Sequence, residues 1–362
     1  MSNQYIVNYE ALVYNFPETK DFEFLGHLFV SNNLTEEITQ IISPHEDILK
    51  SNFGFKSCCM TYEDGHSSYI TAKNKFPIIL STEINDDFLF ERVINTVKEK
   101  IAQLEEHIIF ITNLHIFFPV VQIIVSLPDG SEKMLCGFTS QRPTPTLKWT
   151  WLVEKINLEK RLNLNIDKLA FDKFRCHKNH TRYKRAFDYY LRSFREFDHS
   201  SAFCLLCSAL DAITGSNNAT DTKKRLAKYF SVLFCTPLEA RKIEERMRYL
   251  YKIRSSFTHG KGNKITIQDE IELREYVRRF LLSYYLFWTE MKIKNEPQML
   301  QKLDEIYTDH SLYIRYAPAA YEFIRLSSQH EGGSDIFSKT WDEKANIVIK
   351  NMLEATLPIT DN

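Results

Sequence analysis

No stretch of this chain approaches eighteen uncharged apolar residues, so nothing in it reads as a membrane-spanning helix. The nearest, HIIFITNLHIFFPVVQIIVSL, is broken by His115, Pro119 and Gln122 and reads as consecutive buried strands. The opening MSNQYIVNYEALVYN lacks a basic segment followed by an apolar core, so no secretory signal is expected. A Walker loop is missing, as are a GxGxxG opening a helix after a strand, HExxH and GxSxG, which removes the sequence case for nucleotide-cradling loops, zincin proteases and serine hydrolases. Cys204 and Cys207 form a CxxC without a second pair and sit at i and i+3 among apolar neighbours, the pattern of core residues on a helix. His177 and His180 beside Cys176 likewise lack a matching pair, so neither a metal nor another cofactor is expected. Seven cysteines, an odd number scattered over the chain, argue for reduced thiols and a cytoplasmic location. There is no internal repeat and no low-complexity tract.

Net charge is also nearly absent, 46 Lys and Arg against 47 Asp and Glu, but its distribution is uneven. Residues 1–150 carry eleven basic and nineteen acidic side chains, whereas residues 171–262 carry nineteen basic and nine acidic. With 362 residues and 44% hydrophobic content, two domains with real cores are expected. The texture changes near residue 150. Before it come short runs rich in Val, Ile, Phe and Tyr (YIVNYEALVYN, FEFLGHLFVS, SSYITA, FPIILS, HIIFI, VVQIIVSL), interrupted by two helical stretches, TEEITQIIS and DDFLFERVINTVKEKIAQLEEH. The expected fold class is therefore α+β: a mixed α/β domain over 1–150, then an all-α bundle over 151–362. TSQRPTPTLKW, with two prolines two positions apart, is the linker candidate.

Within the second half the pattern predicts helices at 166–197, 200–214 (ended by Gly215), about 220–233, 237–259, 268–294, 297–307, 318–327 and 341–355. The fourth has a clear start: Thr236 as N-cap, Pro237 at the first helical position and Glu239 three residues after the cap form a capping box. It ends in YLYKIRSSFTHGKG, where Arg254 and His259 fall just before the Gly260 stop. Five helical steps put these two side chains roughly 140° apart, too far round to share one face.

An arginine, a polar residue and a histidine five positions on, at the C-terminal end of a bundle helix and followed by glycine, resembles the RNA-cutting motif of HEPN domains. LCSALDAITG, then a basic helix, then LYKIRSSFTHGKG is similar to the Apea-like branch, whose second helix carries an acidic residue where Asp211 stands. The resemblance covers about residues 170–290. Ser255 follows the arginine where the family commonly has Asn, Asp or His, and a serine can still donate and accept hydrogen bonds. The resemblance implies a catalytic set of Arg254, His259, Ser255 and Asp211, with Asp211 either orienting Arg254 or capping its own helix end. It also implies pairing into a homodimer or larger homo-oligomer, so that the motif of each copy completes one cleft.

The chemistry suits these residue types. RNA carries its own nucleophile in the 2′-hydroxyl, so cleavage needs a proton acceptor, a proton donor and positive charge beside the phosphate, and no metal. Histidine can take either proton role near neutral pH, and the arginine fork matches phosphate oxygens. The expected product carries a 2′,3′-cyclic phosphate. A track for RNA, tRNA or rRNA, is expected along HKNHTRYKR, with Arg182, Lys184, Arg185 and the stackable ring of Tyr183, and along KKRLAK, with Lys223, Lys224, Arg225 and Lys228. Lys252 and Lys261 flank the motif itself; a solvated helix face is the alternative for any of these cations. The family resemblance further implies a toxin or anti-phage effector whose acidic N-terminal domain senses a protein trigger or restrains the nuclease. A non-catalytic module binding RNA or a partner protein is the competing expectation, and a DNA-binding regulator a third.

Overall fold

The structure is a computed structural model. It describes residues 3–13, 22–24, 27–33, 60–61, 67–80, 86–112, 116, 118, 120–138, 171, 173–175, 177–196, 198–215, 226–230, 232–233, 237–260 and 265–321. The chain divides into two compact units, Met1–Leu158 and Glu159–Asn362. The protein is α+β, with an antiparallel sheet in the first unit and helices through the described part of the second. No helix among the described residues is long and apolar enough to cross a membrane.

In the first unit, strands β1 (Asn3–Val13), β2 (Phe22–Phe24), β3 (His27–Asn33), β5 (Ser67–Leu80), β6 (Val120–Ser126) and β7 (Glu132–Phe138) line up in the order β2-β3-β5-β1-β6-β7, and the two-residue β4 (Met60–Thr61) pairs with β5. Alternation decides the faces. Tyr5, Val7, Tyr9, Ala11 and Val13 of β1 are buried, and the register sets them beside Ala72 and Ile78 of β5 and Val121, Ile123 and Val125 of β6. Helix α1 (Asp86–Thr112) buries Leu89, Val93, Val97, Ile101, Leu104 and Ile108 at helical spacing, and Lys100 lies 4.7 Å from the centre of the Phe76 ring on the sheet's core side.

Two expectations change here. HIIFI is not a strand; it is the buried end of α1, continuous with the helix before it. A five-residue apolar run has no periodicity of its own, so its neighbours decide. SSYITA and FPIILS are one fourteen-residue strand rather than two. Pro77, which reads as a break, is accommodated where β5 pairs with β1 but has passed the end of its pairing with β3. The helix expected at TEEITQIIS and the linker TSQRPTPTLKW lie outside the described residues.

In the second unit, α2 (Thr181–Ser193), α3 (His199–Thr214), α4 (Pro237–Thr258), α5 (Ile267–Glu290), α6 (Glu296–Thr308) and α7 (Ser311–Tyr316) follow one another. Residues 226–230 and 318–321 are also helical. α3 packs against α2, α4 and α5, and its sequence is apolar accordingly: Ala202, Phe203, Leu206, Cys207, Ala209, Leu210 and Ile213 are all buried. The helix expected over 166–197 is interrupted. His177 is extended and accepts from the Asn179 amide, a 3₁₀ turn covers Lys178–His180, and the buried His180 ring bonds the Phe174 carbonyl. Those local side-chain bonds offer the backbone an alternative to the helix ladder. α5 ends at Glu290 rather than 294, and its start is a capping box between Thr266 and Asp269. The Thr236 cap and the helix at 341–355 lie outside the described residues.

Candidate functional site at the end of helix α4

Helix α4 stops as its sequence implies. Gly260 has φ 67°, its amide donates to the Phe257 carbonyl (3.0 Å), and the His259 amide donates to the Ser255 carbonyl (3.2 Å). The single Thr258 Oγ1 proton is shared between the carbonyls of Arg254 (3.0 Å) and Ser255 (3.1 Å), which adds a side-chain donor to the terminal turn. The glycine is there for its backbone: an added Cβ would meet nothing within 4 Å, but a left-handed φ strains any L side chain.

Around this end the side chains divide between two faces. Met247, Leu250 and Tyr251 are buried, and Arg254 follows them on the packed side. Its Nη1 donates to Asp211 Oδ2 on α3 (2.9 Å) and to the Tyr251 hydroxyl (3.1 Å), with the guanidinium 5.2 Å from the centre of the Tyr251 ring. Asp211 thus orients Arg254; both side chains remain about a quarter exposed, 27% and 28%. Arg254 Nε and Asp211 Oδ1 are buried without a hydrogen-bond partner among the described residues. Burial pushes the Asp211 carboxyl above the ordinary aspartate range, with the charge and hydrogen bond of Arg254 opposing the shift. Cys207 and Cys204 lie about one and two turns back from Asp211 along α3 as free thiols; burial pushes both up, with Arg254 acting against it. That environment is the one expected of core cysteines, not of reactive thiolates.

His259 and Ser255 are exposed on the outward side, as is Lys252, and the His259 ring has no hydrogen-bond partner among the described residues. Within one chain no hydrogen bond or ion pair joins Arg254 to His259, in keeping with the wide angle between them on the helix. Tyr251 is a participant that sequence reasoning missed. Its signal was present, because i and i−3 on a helix are neighbours.

The other sequence-derived residues meet different fates. Lys184 and Arg185 are exposed on α2. Arg182 is engaged within the fold: its amide donates to Glu296 Oε1 (2.7 Å), and its guanidinium pairs with Glu296 (3.3 Å) and donates to the Gly215 carbonyl (3.1 Å). Lys228 pairs with Asp304 (2.6 Å) and lies 4.7 Å from the Tyr307 ring centre. Tyr183 is not available for stacking on a base. It is fully buried, and its hydroxyl donates to the Leu281 carbonyl (3.1 Å), because it faces α5 where the sequence alone left its direction open. Lys223, Lys224, Arg225 and Lys261 lie outside the described residues. Among the described residues no three His, Cys, Asp or Glu side chains gather as a metal site.

A concavity of about 590 Å³ lies on the sheet face of the first unit away from α1 and contains none of these residues. Asn8, Glu10, Lys73, Lys75, Gln122 and Ile124 line it, and Lys73 pairs with Glu10 (3.1 Å). No family model matches the chain, nor does any curated protein or any solved structure.

Proposed function

We propose that the helical unit is a metal-independent endoribonuclease of the HEPN type. The observation that carries this reading is Arg254: a partly exposed guanidinium held by Asp211 and Tyr251 at the same helix end as an unengaged, exposed His259. In the reaction the RNA 2′-hydroxyl attacks the adjacent phosphorus, the bond to the 5′-oxygen breaks, and that oxygen leaves with a proton. The products are a 2′,3′-cyclic phosphate and a 5′-hydroxyl. His259 serves as the proton carrier. Arg254, already fixed by two partners through Nη1, offers the N–H groups of Nη2 to the phosphate oxygens, where charge grows in the transition state. Because the two residues face different sides of α4, the complete site needs a second copy, whose His259 meets the first copy's Arg254 across a two-fold axis. Tethered in this way, the nuclease acts in the cytoplasm on tRNA or rRNA as a toxin or anti-phage effector. The acidic first unit then receives the protein trigger or restrains the basic helical unit.

The test is incubation of the purified full chain with total tRNA and rRNA in EDTA, comparing wild type with Arg254→Ala and His259→Ala. Discrete fragments that resist EDTA and disappear in both variants support the nuclease. A second reading is favoured by the same ion pair. An arginine already bonded to Asp211 and Tyr251 suits a scaffold, and a non-catalytic module binding RNA or a partner protein would retain binding in all three forms while none of them cuts.

A further inference from the structure

Residues 246–268 carry Arg246, Arg248, Lys252, Arg254, Lys261 and Lys264 and not one Asp or Glu. Arg246, Arg248 and Arg254 are paired with Glu272, Glu244 and Asp211, so among the described residues Lys252 is the cation this stretch leaves open to a phosphate. Within it, Tyr249, Lys252, Ser256 and His259 recur at i, i+3, i+7 and i+10 and so share one face of α4. That face is open: Tyr249 is 50% exposed, and Lys252 and His259 are exposed too.

Tyr249 is held in place from behind. The Arg246 guanidinium lies 4.8 Å from the centre of its ring. Arg246 is itself anchored to α5 by a two-point pair with Glu272, Nε to Oε1 at 2.9 Å and Nη2 to Oε2, and Asp269 Oδ1 lies 3.6 Å from the same Nη2. Two helices thus fix one cation against one side of the ring, while half of the residue's surface faces solvent. A flat aromatic braced by one cation, with the exposed Lys252 on the same face, is a surface on which unpaired bases stack. At 1.5 Å per residue, Tyr249 and His259 are about 15 Å apart along the axis, with Lys252 between them. Arg248 contributes less, since it pairs with Glu244 one turn back.

We propose that Tyr249, backed by Arg246, is a stacking platform for an unpaired base of single-stranded RNA, whose phosphates pass Lys252 toward His259. The platform rests on the ribonuclease reading for its substrate class and adds a preference for unpaired nucleotides at a set distance from the cut.

The test uses the full chain, a fluorescein-labelled single-stranded RNA of about twelve nucleotides and a blunt RNA duplex of the same length, both 2′-O-methylated so that no attacking hydroxyl is present, followed by anisotropy. Tyr249→Ala weakens single-strand binding about 5- to 100-fold, leaves duplex binding unchanged and keeps the wild-type circular dichroism. Tyr249→Phe binds as wild type. Arg246→Gln gives an intermediate loss, and Lys252→Ala lowers the slope of log K against log salt by about 0.7. The proposal is overturned if Tyr249→Ala binds the single strand as tightly as wild type, or if both RNAs lose affinity equally. It also falls if wild type binds neither RNA. Sedimentation supplies a further outcome against it: a dimer that Tyr249→Ala converts to monomer would mean that a second protein copy covers the ring. Failure of the nuclease reading looks different. A wild type that binds single strands through Tyr249 but never cuts keeps the platform and loses the enzyme. A Tyr249→Ala variant that cuts with unchanged KM keeps the enzyme and loses the platform.

Discussion

Replacing Asp211 by Asn separates positioning from stability at the helix end. The Asp211 carboxylate accepts one hydrogen bond from Arg254 at 2.9 Å, and its other oxygen is buried without a partner among the described residues. Burial holds the carboxyl above its ordinary range even though Arg254 pulls the other way. The folded protein therefore binds this proton more tightly than the unfolded chain does. Between the two titrations the folded state carries more protons, so this group's contribution to stability declines as pH rises above the unfolded aspartate value of about 3.9. It is level again once the folded carboxyl has ionised. Asparagine has no such titration, and its amide oxygen can still accept from Arg254. Asp211→Asn is thus expected to change stability at neutral pH by no more than about 1 kcal/mol. Relative to wild type, it gains as pH rises through the acid range. Asp211→Ala removes the acceptor altogether and costs about 1–3 kcal/mol. Urea denaturation followed by helical circular dichroism at several pH values gives these differences. If the proposed nuclease reading holds, Asp211→Asn lowers kcat for RNA cleavage and leaves KM unchanged, because the guanidinium has lost its charged partner. A loss above about 3 kcal/mol for Asp211→Asn, or a pH trend of opposite sign, would refute the argument and make the pair a structural salt bridge.

Three further outcomes follow from the same structure. Arg274 is 1% exposed, donates to Ser193 Oγ (2.6 Å) and the Ser193 carbonyl (3.1 Å), pairs with Glu270 and lies 4.0 Å from the Phe194 ring centre. Arg274→Met strands the buried Glu270 beside His199 and costs about 3–5 kcal/mol, much of it recovered in the Arg274→Met, Glu270→Met double variant; urea midpoints measure both. Gly260→Ala costs about 1 kcal/mol through backbone strain alone, given the φ of 67° and the open space around it, and Gly260→Asn costs less. Peptide mapping after iodoacetamide treatment of the native protein at neutral pH finds Cys207 unmodified until the helical unit unfolds, since burial raises its thiol and shields it, with Cys204 reacting more slowly than a free thiol.

Local signals in the chain were enough to determine the end of α4, because a stop needs only a left-handed glycine and a few polar neighbours, and Gly260 and Thr258 supply them within a handful of residues. The alternation along β1 and the helical spacing of Val93, Val97, Ile101 and Leu104 were legible for the same reason: each side chain's direction follows from its position in the element. Direction relative to other elements is another matter. Tyr183 and Lys184 are adjacent and look alike as nucleic-acid contacts, yet α5 covers the first and leaves the second in solvent. HIIFI became helix because α1 continued through it, and the helix expected over 166–197 broke where His177 and His180 found backbone partners. The partnership of Asp211 with Arg254 spans 43 residues of sequence, and the stack of Arg246 on Tyr249 depends on Glu272 from another helix. Sequence determined which residues could take part and where α4 stopped; the packing of α3 and α5 against α4 decided which of them meet, since hydrogen bonds and ion pairs act over a few ångströms in space whatever their separation along the chain.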